Sequence, residues 1–315
     1  MKPNDVVELL TNHGCVDLSL AMDENSCSQY PVANGGLGDV FQGKLWDGTL
    51  VAVKTIRPHS QGGELTGVYQ KQAAKEIYTW SKCSHPNVVP LMGLAVFRNS
   101  LAMISLWEKN GNLLHYLSKH PSANCCNLSI SICAGLAYLH ENNIIHGDLK
   151  GANVLIAQDG TPRLIDFGNS VVVDATLQFT RSNTGPSYSI RWTAPEILQG
   201  ITSHTMMGDV YSLGMTILET LTASIPFSGK AEQSLYIHVV IKKQTPLRPT
   251  AIIPEKSIYG NVLWALLMSC WVNNSKCCPD SATVWNVMKP LTAEKLVEIP
   301  DDAEVVQHEV GGNAS

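Results

Sequence analysis

The sequence predicts an α+β fold with two lobes, a small β-rich lobe followed by a larger helical lobe. Three observations predict it. Between residues 30 and 104, short apolar runs with alternating spacing are separated by turn residues, as in strands. After Gly111 the apolar residues recur with a period near 3.6, as in helices. The 315 residues are enough for two lobes that bury a core around a cleft.

The first lobe begins with a predicted hairpin. The runs "DVFQGKL" and "LVAVKTI" are joined by "WDGT", which is a turn signal. A helix is predicted from about Leu65 to Lys82, because "VYQKQAAKEIYTWSK" contains good helix formers and Pro86 in "SHPNVVP" stops it. This lobe is therefore a sheet interrupted by one helix.

The second lobe contains four segments with helical periodicity. They are "NLLHYLSKH", "LSISICAGLAYLHENN", "GDVYSLGMTILETLTA" and "NVLWALLMSCWV". The chain is thus predicted to contain an N-terminal extension at 1–29, one domain at 30–292 with lobes at 30–104 and 111–292 around a hinge at 105–110, and an acidic tail at 293–315. The tail ends in small polar residues, so it is predicted to be poorly ordered.

Composition and charge exclude several classes of protein. With 44% hydrophobic and 16% charged residues, the chain is typical of globular proteins. Its net charge of −5 gives no basic field for nucleic acid or anionic lipid. The longest apolar stretch, "VLWALLMSCWV", is shorter than the ~20 residues of a membrane-spanning helix, and Asp5 and Glu8 interrupt any signal peptide. We therefore expect a cytoplasmic protein without a membrane span or a nucleic-acid partner.

The cysteines agree with that location. There are nine, an odd number, and two pairs are adjacent in sequence, at Cys125–Cys126 and Cys277–Cys278. No pair of Cys-x-x-Cys units offers the four ligands of a zinc site. We expect reduced, structural thiols.

Six short motifs carry the chemistry. In chain order they are "VANGGLGDV" (32–40), "VAVK" (51–54), Glu76 in the predicted helix, "HGDLKGAN" (146–153), "DFG" (166–168) and "APE" (194–196). A lone glycine-rich turn would be a weak signal, but six motifs in this order resemble the protein kinase superfamily over residues 30–292. The stretches "RWTAPEIL", "GDVYSLG" and "VPLMGL" are most similar to tyrosine-kinase-like serine/threonine kinases of the fungal type.

The resemblance implies that the first motif is a phosphate-binding loop. Gly35, Gly36 and Gly38 would let the backbone approach phosphates where side chains would obstruct it; a simple hairpin turn is the alternative. Ala33 replaces the family's first glycine, so we expect reduced nucleotide affinity rather than lost binding. By the same resemblance, the family's other nucleotide contacts correspond to Val32, Val40, Ala52 and Leu155.

Lys54 and Glu76 are implied to be catalytic. Lys54 follows the alternating "VAV", which places it on a strand whose apolar neighbours pack inward. In the family this lysine meets the α- and β-phosphates of ATP and is held by a helix glutamate, here Glu76, 22 residues later. The alternative is that Glu76 is a solvated helix charge that pairs with Lys71 or Lys75.

The motifs "HGDLKGAN" and "DFG" are implied to supply the other reacting groups. Asp148 would accept or orient the substrate hydroxyl, and Lys150 would lie beside the γ-phosphate. Asn153 and Asp166 would hold Mg²⁺, since carboxylate and amide oxygens suit this hard ion, which also shares phosphate oxygens. The implied cofactors are therefore ATP and Mg²⁺. Turn or cap chemistry is the alternative for each of these Asp and Asn residues.

The hinge is implied to bind adenine. Ser105 matches the gatekeeper position, and the carbonyl of Leu106 and the amide of Glu108 are placed to bond the base. A gatekeeper as small as serine predicts room behind the adenine.

Four further residues are expected to be structural. His146 and Phe167 resemble, together with Trp80, the internal packing spine of the family. Asp209 resembles the buried acid that supports the catalytic loop through its backbone. The alternative for Asp209 is N-capping of the next helix.

The sequence departs from the family at two functional positions. Gly147 stands where most kinases have an arginine that receives the phosphate of the activation loop, so we expect activity not to depend strongly on that phosphate. Cys278 stands where the family usually has an arginine paired with Glu196. Arg191 or Arg248 is the expected substitute, and without one the loss of a buried ion pair would cost about 3–5 kcal/mol.

The sequence therefore predicts an ATP-dependent kinase that phosphorylates serine or threonine in protein substrates of intracellular signalling. Lys150, two residues after Asp148, and Ser189, in the place of a family threonine, favour serine and threonine over tyrosine. The alternative is a pseudokinase scaffold that binds nucleotide without transfer, which the departures favour. A small-molecule kinase is disfavoured by "APE". The sequence does not indicate the oligomeric state or the role of residues 1–29.

Overall fold

The computed structural model describes residues 3–34, 38–56, 73–74, 76–172, 189–272 and 277–298. These residues form a sheet-containing lobe followed by a helical lobe, so the predicted α+β class is confirmed. Among them, no helix has the length and apolar character needed to cross a bilayer.

The first lobe is built on a six-stranded antiparallel sheet. Its strands are β1 (Met22–Asp23), β2 (Ala33–Asn34), β3 (Gly38–Leu45), β4 (Leu50–Ile56), β5 (Leu91–Phe97) and β6 (Ser100–Leu106). The spatial order is β1-β3-β4-β6-β5, and β2 also pairs with β3. The predicted hairpin is confirmed as β3 and β4, which pair from Gly38 opposite Ile56 to Lys44 opposite Leu50.

Alternation along β4 gives the sheet two different faces. Val51 and Val53 are buried, whereas Ala52 and Lys54 are partly exposed. Directly paired residues share a face, so Val40 opposite Lys54 and Ser105 opposite Ala52 lie on the Lys54 face. The other face packs into a core made of Met22, Cys27, Phe41, Leu45, Val51, Val53, Ala95, Phe97, Ala102 and Ile104.

The predicted N-terminal extension contacts both faces of this sheet. Helix α1 (Pro3–Thr11) packs on β5 and β6 and buries Val7. The chain then runs beside β5, where the amide of Leu18 donates to the carbonyl of Leu94 at 2.7 Å. Strand β1 pairs with β3 at the opposite edge. Met22 and Cys27 complete the core on the second face.

The helix that bears Glu76, α2, is described at residues 73–74 and 76–81. Its predicted start near Leu65 lies outside the described residues. Its predicted end is confirmed, because the helix stops before Pro86. Ile77 and Trp80 are buried in the main core, which continues into the second lobe.

The second lobe contains the four predicted helices and several shorter elements. Its helices are α3 (Leu113–Lys119), α4 (Cys125–Glu141), α5 (Pro195–Leu198), α6 (Met206–Thr222), α7 (Glu232–Tyr236), α8 (Ile258–Cys270) and α9 (Ser281–Met288). Short strands follow α4, namely β7 (Ile144–Ile145), β8 (Val154–Ile156), β9 (Pro162–Leu164) and, beyond them, β10 (Val171–Val172). The tail is described only as far as residue 298.

Helix α6 lies at the centre of this lobe, between α4 and α8. Every residue from Gly208 to Leu221 is buried, including two acids, Asp209 and Glu219. Burying a carboxylate is costly unless hydrogen bonds compensate it. Both acids bond the loop between β7 and β8, and they thereby fix its backbone.

Candidate active site

Lys54 lies between two carboxylates. Its Nζ is 2.6 Å from Oε1 of Glu76 and 2.8 Å from Oδ1 of Asp166. Glu76 is only 1% exposed, so the alternative of a solvated helix charge is wrong. The alternative partners, Lys71 and Lys75, lie outside the described residues.

These carboxylates hold Lys54 in its charged form. Burial alone would lower the pKa of Lys54, but the negative charges of Glu76 and Asp166 outweigh burial and raise it. Burial likewise acts to raise the pKa of Asp166, and Lys54 outweighs it, so the pKa is lowered. For Glu76 burial prevails and the pKa is raised; the 2.6 Å contact nevertheless supplies a partner for the lysine.

Asp166 occupies a strained position two residues after β9. Its φ of +69° lies in the left-handed region, which non-glycine residues rarely adopt. Phe167, which follows, is buried between two rings of the predicted spine. Its ring centroid is 6.0 Å from that of Trp80 and 5.9 Å from that of His146. Packing of Phe167 therefore helps to hold the Asp166 backbone.

An acid and an amine of the loop at residues 146–153 meet the hydroxyl of Ser189. Nζ of Lys150 is 2.8 Å from Oδ2 of Asp148. The hydroxyl of Ser189 donates to Oδ1 of Asp148 at 2.8 Å, and Nζ of Lys150 is 2.6 Å from the same hydroxyl oxygen. Ser189 is thus in direct contact with the predicted catalytic aspartate.

The two predicted metal ligands flank the β8–β9 hairpin, with Asn153 directly before β8 and Asp166 two residues after β9. Val154 pairs with Leu164, and the amide of Ile165 donates to the carbonyl of Asn153 at 3.0 Å. Asn153 therefore neighbours Ile165, the residue before Asp166. Nδ2 of Asn153 donates to the carbonyl and to Oδ2 of Asp148, at 2.7 and 3.1 Å, which leaves its Oδ1 as an acceptor.

Asp209 anchors the same loop. Its carboxylate accepts the backbone amides of His146 and Gly147 at 2.7 and 2.9 Å, and it lies 3.0 Å from Nε2 of His140. Support of the loop is therefore the structural role. The capping alternative is wrong, because Thr205 caps helix α6.

Gly147 adopts a conformation that suits glycine. Its φ is +82°, and an added Cβ would lie 2.7 Å from the carbonyl oxygen of Asn169. A side chain at this position would therefore be strained as well as close to the segment after "DFG".

Gly151 and Glu219 form a contact that the sequence motifs did not predict. The amide of Gly151 donates to Oε2 of Glu219 at 2.8 Å. Two signals were available, a second glycine within "HGDLKGAN" and one acid within the otherwise uncharged end of "GDVYSLGMTILETLTA".

The hinge is attached to the first lobe by a backbone hydrogen bond and to the second lobe by an ion pair. The amide of Trp107 donates to the carbonyl of Leu50 in β4 at 3.1 Å. The side chain of Glu108 instead pairs with Arg163 of β9 at 2.6 Å. The backbone amide of Glu108 donates to no residue in the part of the chain that the structure describes, and the gatekeeper Ser105 is buried.

A cavity of about 770 Å³ adjoins this hinge. It is lined by residues 106–109, by the β3–β4 and β8–β9 turns and by Arg163. The lining does not include Lys54, Asp148, Asn153 or Asp166, so this cavity is separate from the cluster of reacting groups.

The predicted nucleotide contacts are only partly described. Gly35 and Gly36 lie outside the described residues. An added Cβ at Gly38 would lie 1.6 Å from the carbonyl oxygen of Thr55, so β3 and β4 can approach each other only because residue 38 is glycine. Val32 donates its amide to the carbonyl of Val40 at 2.8 Å. Ala52 lies on the Lys54 face of the sheet, and Leu155 is partly buried on β8.

The prediction that Arg191 or Arg248 pairs with Glu196 is wrong for both residues. Arg191 donates to the carbonyls of Pro226, Phe227 and Lys230, and Arg248 donates to those of Ile253 and Pro254. Within the described ranges, no cation lies at ion-pair distance from Glu196. Burial, together with the charge of Glu196, raises the pKa of Cys278 to about 11, so this thiol stays protonated.

A sheet-containing lobe followed by a helical lobe is the fold expected of a protein kinase domain. The family model "Protein kinase domain" matches residues 29–279, and the chain belongs to the protein kinase family.

The chain is similar to several serine/threonine kinases. It is 30% identical to serine/threonine-protein kinase STY46 of Arabidopsis thaliana, over 84% of this chain and 44% of the relative. It is 33% identical to mitogen-activated protein kinase kinase kinase 3 of the same species, over 70% of this chain and 35% of the relative. A third relative, serine/threonine/tyrosine-protein kinase HT1, is 28% identical over 82% of this chain and 64% of its own length.

The chain spans less than half the length of the first two relatives. All three of these kinases come from Arabidopsis thaliana, so the predicted kinase family is confirmed but its fungal type is not supported.

Proposed function

We propose that this protein is an ATP- and Mg²⁺-dependent kinase that transfers the γ-phosphate of ATP to serine or threonine hydroxyls of protein substrates. The observation that carries the proposal is the convergence of Lys54, Asp148, Asn153 and Asp166 from separate parts of the chain. Phosphoryl transfer requires positioning and charge stabilisation more than covalent chemistry from the protein. A fixed cation next to metal-binding oxygens and an acceptor-binding acid meets this requirement.

On the nucleotide side, Lys54 would bind the α- and β-phosphates. Glu76 holds its ammonium in place, and the neighbouring carboxylates keep the lysine charged. The glycine-rich residues Gly35, Gly36 and Gly38 would cover the phosphates. Adenine would be bonded by the carbonyl of Leu106 and the amide of Glu108, and it would pack against apolar side chains of both lobes, namely Val32, Val40, Ala52 and Leu155.

Asp166 and Asn153 have the chemistry that magnesium requires. Mg²⁺ is usually held by one or two protein oxygens together with phosphate oxygens and water. Asp166 offers a side chain that is 35% exposed, and Asn153 offers Oδ1. In the described residues no cluster of three or more His, Cys, Asp or Glu could hold a metal alone, which agrees with a site completed by the nucleotide. When bound, Mg²⁺ would neutralise charge on the phosphates.

On the acceptor side, Asp148 would position the substrate hydroxyl and take its proton. The hydroxyl oxygen forms a bond to the γ-phosphorus, the bond from that phosphorus to the β,γ-bridging oxygen breaks, and ADP leaves with the bonding electrons. Lys150 lies 2.8 Å from Asp148 and would stabilise charge on the transferred group. The contact of both residues with Ser189 supports serine/threonine specificity.

The pseudokinase alternative is less well supported. It requires the fold to persist without the reacting groups, whereas the lysine, both acids and the asparagine are all retained and lie together. The loss of a cation partner for Glu196 concerns the second lobe rather than these groups. A cytoplasmic location is also part of the proposal. It is supported by the buried thiols of Cys27, Cys83, Cys126, Cys133 and Cys270, which form no disulfide.

The test is transfer from labelled ATP to a generic protein acceptor in the presence of Mg²⁺. Asp148→Asn keeps the size of the side chain and removes its charge, so transfer should fall by at least about 100-fold, the lower range for loss of a catalytic acid or base. Asp47→Asn makes the same change in an exposed turn and should leave transfer intact. A wild-type protein that transfers nothing, or an Asp148→Asn variant as active as the wild type, would reject the proposal.

A further inference from the structure

Glu219 is a buried acid that the proposed reaction does not use. It lies on α6 and is 1% exposed. One of its oxygens, Oε2, accepts two hydrogen bonds from different parts of the chain. The donors are the amide of Gly151 and Nε1 of Trp192, each at 2.8 Å. A single carboxylate therefore joins two segments that are distant in sequence.

The first of these segments carries the predicted acceptor-side groups. Gly151 directly follows Lys150, whose ammonium contacts Asp148. An added Cβ at Gly151 would lie 2.6 Å from Oε1 and 2.7 Å from Cδ of Glu219. The carboxylate thus occupies the space that any side chain at position 151 would need, and the glycine is a requirement of the contact.

The second segment carries Ser189. The amide of Trp192 donates to the carbonyl of Ser189 at 2.8 Å, so these residues form one turn. The hydroxyl of Ser212, also on α6, donates to the carbonyl of Trp192 at 2.8 Å. Both the side chain and the backbone carbonyl of Trp192 are therefore hydrogen-bonded to α6.

We infer that Glu219 is a positioning residue that aligns the loop of Asp148 and Lys150 with the segment of Ser189 for transfer to a protein acceptor. It acts through Gly151 and Trp192 and does not touch the reacting atoms. Its contacts lie on the acceptor side, whereas the nucleotide side depends on Lys54, Glu76 and Asp166. The inference rests on the proposed function, and it predicts an effect confined to the acceptor.

The experiment measures transfer as a function of acceptor and of ATP concentration. Trp192→Phe keeps an aromatic ring and removes the N–H donor, and Gly151→Ala places a methyl group against Glu219. Each should lower kcat/KM for the acceptor by about tenfold, as expected for a lost hydrogen bond to a carboxylate. The KM for ATP should change by less than about twofold, because the nucleotide contacts are untouched.

Two more variants separate positioning from general stability. Glu219→Ala should reduce acceptor kcat/KM as the other variants do, whereas Glu219→Gln keeps an acceptor oxygen and should retain most of the activity. Thr220→Val changes an equally buried neighbour whose hydroxyl donates within α6, to the carbonyl of Thr216 at 2.7 Å. It should have no selective effect on the acceptor.

The outcomes are distinct from one another. The inference is supported if the wild type is active and the variants lower kcat/KM for the acceptor without changing the KM for ATP. An active wild type whose variants change both substrates equally, or match Thr220→Val, overturns it and leaves the proposed function standing. A wild type without transfer overturns the proposed function and this inference with it.

Discussion

At the scale of single residues, charge placement determines the state of Lys54. Burial favours loss of its proton, but two carboxylates within 2.8 Å favour the ammonium more strongly. Asp166, which supplies one of these carboxylates, has its backbone in the left-handed conformation. The site therefore combines electrostatic stabilisation with local backbone strain, as is common where function requires a fixed geometry.

Glu219 leads to a prediction about pH and stability. Burial raises its pKa to about 7 from an ordinary value of 4.5, against the opposing effects of Gly151, Trp192 and Lys150. The folded protein then holds this proton more tightly than the unfolded chain. Its contribution to the free energy of unfolding should therefore be largest below pH 4.5 and should be lost as the pH rises to about 7.

Glu219→Gln removes this titration. Urea unfolding at several pH values across that window should show a shallower decline for the variant than for the wild type. Parallel declines for the two proteins would show that Glu219 does not titrate in this range.

Some of these residues were predictable and others were not. Lys54 and Glu76 were predictable from their places in a fixed order of motifs, although for Glu76 the sequence also allowed a solvated helix charge. Glu219 contacts Gly151, which lies 68 residues earlier in the sequence. This contact arises because α6 packs beneath the loop, and no local sequence pattern indicates it. Arg191 and Arg248 were assigned to Glu196 by charge alone, and both instead donate to backbone carbonyls. A sequence does not reveal whether an arginine will bind a carboxylate or a backbone carbonyl.

At the scale of elements, periodicity was sufficient for the long segments. It predicted β3 and β4 as a hairpin and α3, α4, α6 and α8 as helices, because the apolar residues of each recur at a regular spacing. It did not indicate that α6 is buried all round from Gly208 to Leu221, since that depends on which helices surround it. The described part of α2 ends where Pro86 predicts.

The segment after "DFG" carries a prediction about regulation. Gly147 has no guanidinium to bind a phosphate, and its backbone conformation is one that suits glycine. Replacement of five serine and threonine residues of this segment by alanine should therefore leave most of the transfer activity. They are Thr176, Thr180, Ser182, Thr184 and Ser187, and all lie outside the described residues. The measurement is the rate of transfer from labelled ATP by the fivefold variant, and a collapse in that rate would reject the prediction.

At the scale of the whole molecule, the residues before the predicted domain boundary complete the small lobe. The family match begins at residue 29, yet Val7, Met22 and Cys27 belong to the buried cores. The sequence could not reveal this, because residues 1–29 contain no motif and only a short periodic stretch.

Met22 provides the test of that contribution. It is 4% exposed, whereas Leu20, two residues earlier, is 95% exposed. Met22→Ala should lower the free energy of unfolding by about 2–5 kcal/mol, the usual cost of truncating a buried methionine. Leu20→Ala is the matched control and should change it by less than about 0.5 kcal/mol. Equal effects in chemical unfolding would mean that the N-terminal residues do not support the core.

The attachments of the hinge have a mechanical consequence. Trp107 is hydrogen-bonded to β4 and Glu108 is paired with β9, so the attachment of the hinge changes from the first lobe to the second across the peptide bond that joins these two residues. A base bonded to residues 106 and 108 would span that link. Under the proposed function, a bound nucleotide would therefore bridge the part of the hinge that is held by the sheet and the part that is held by β9.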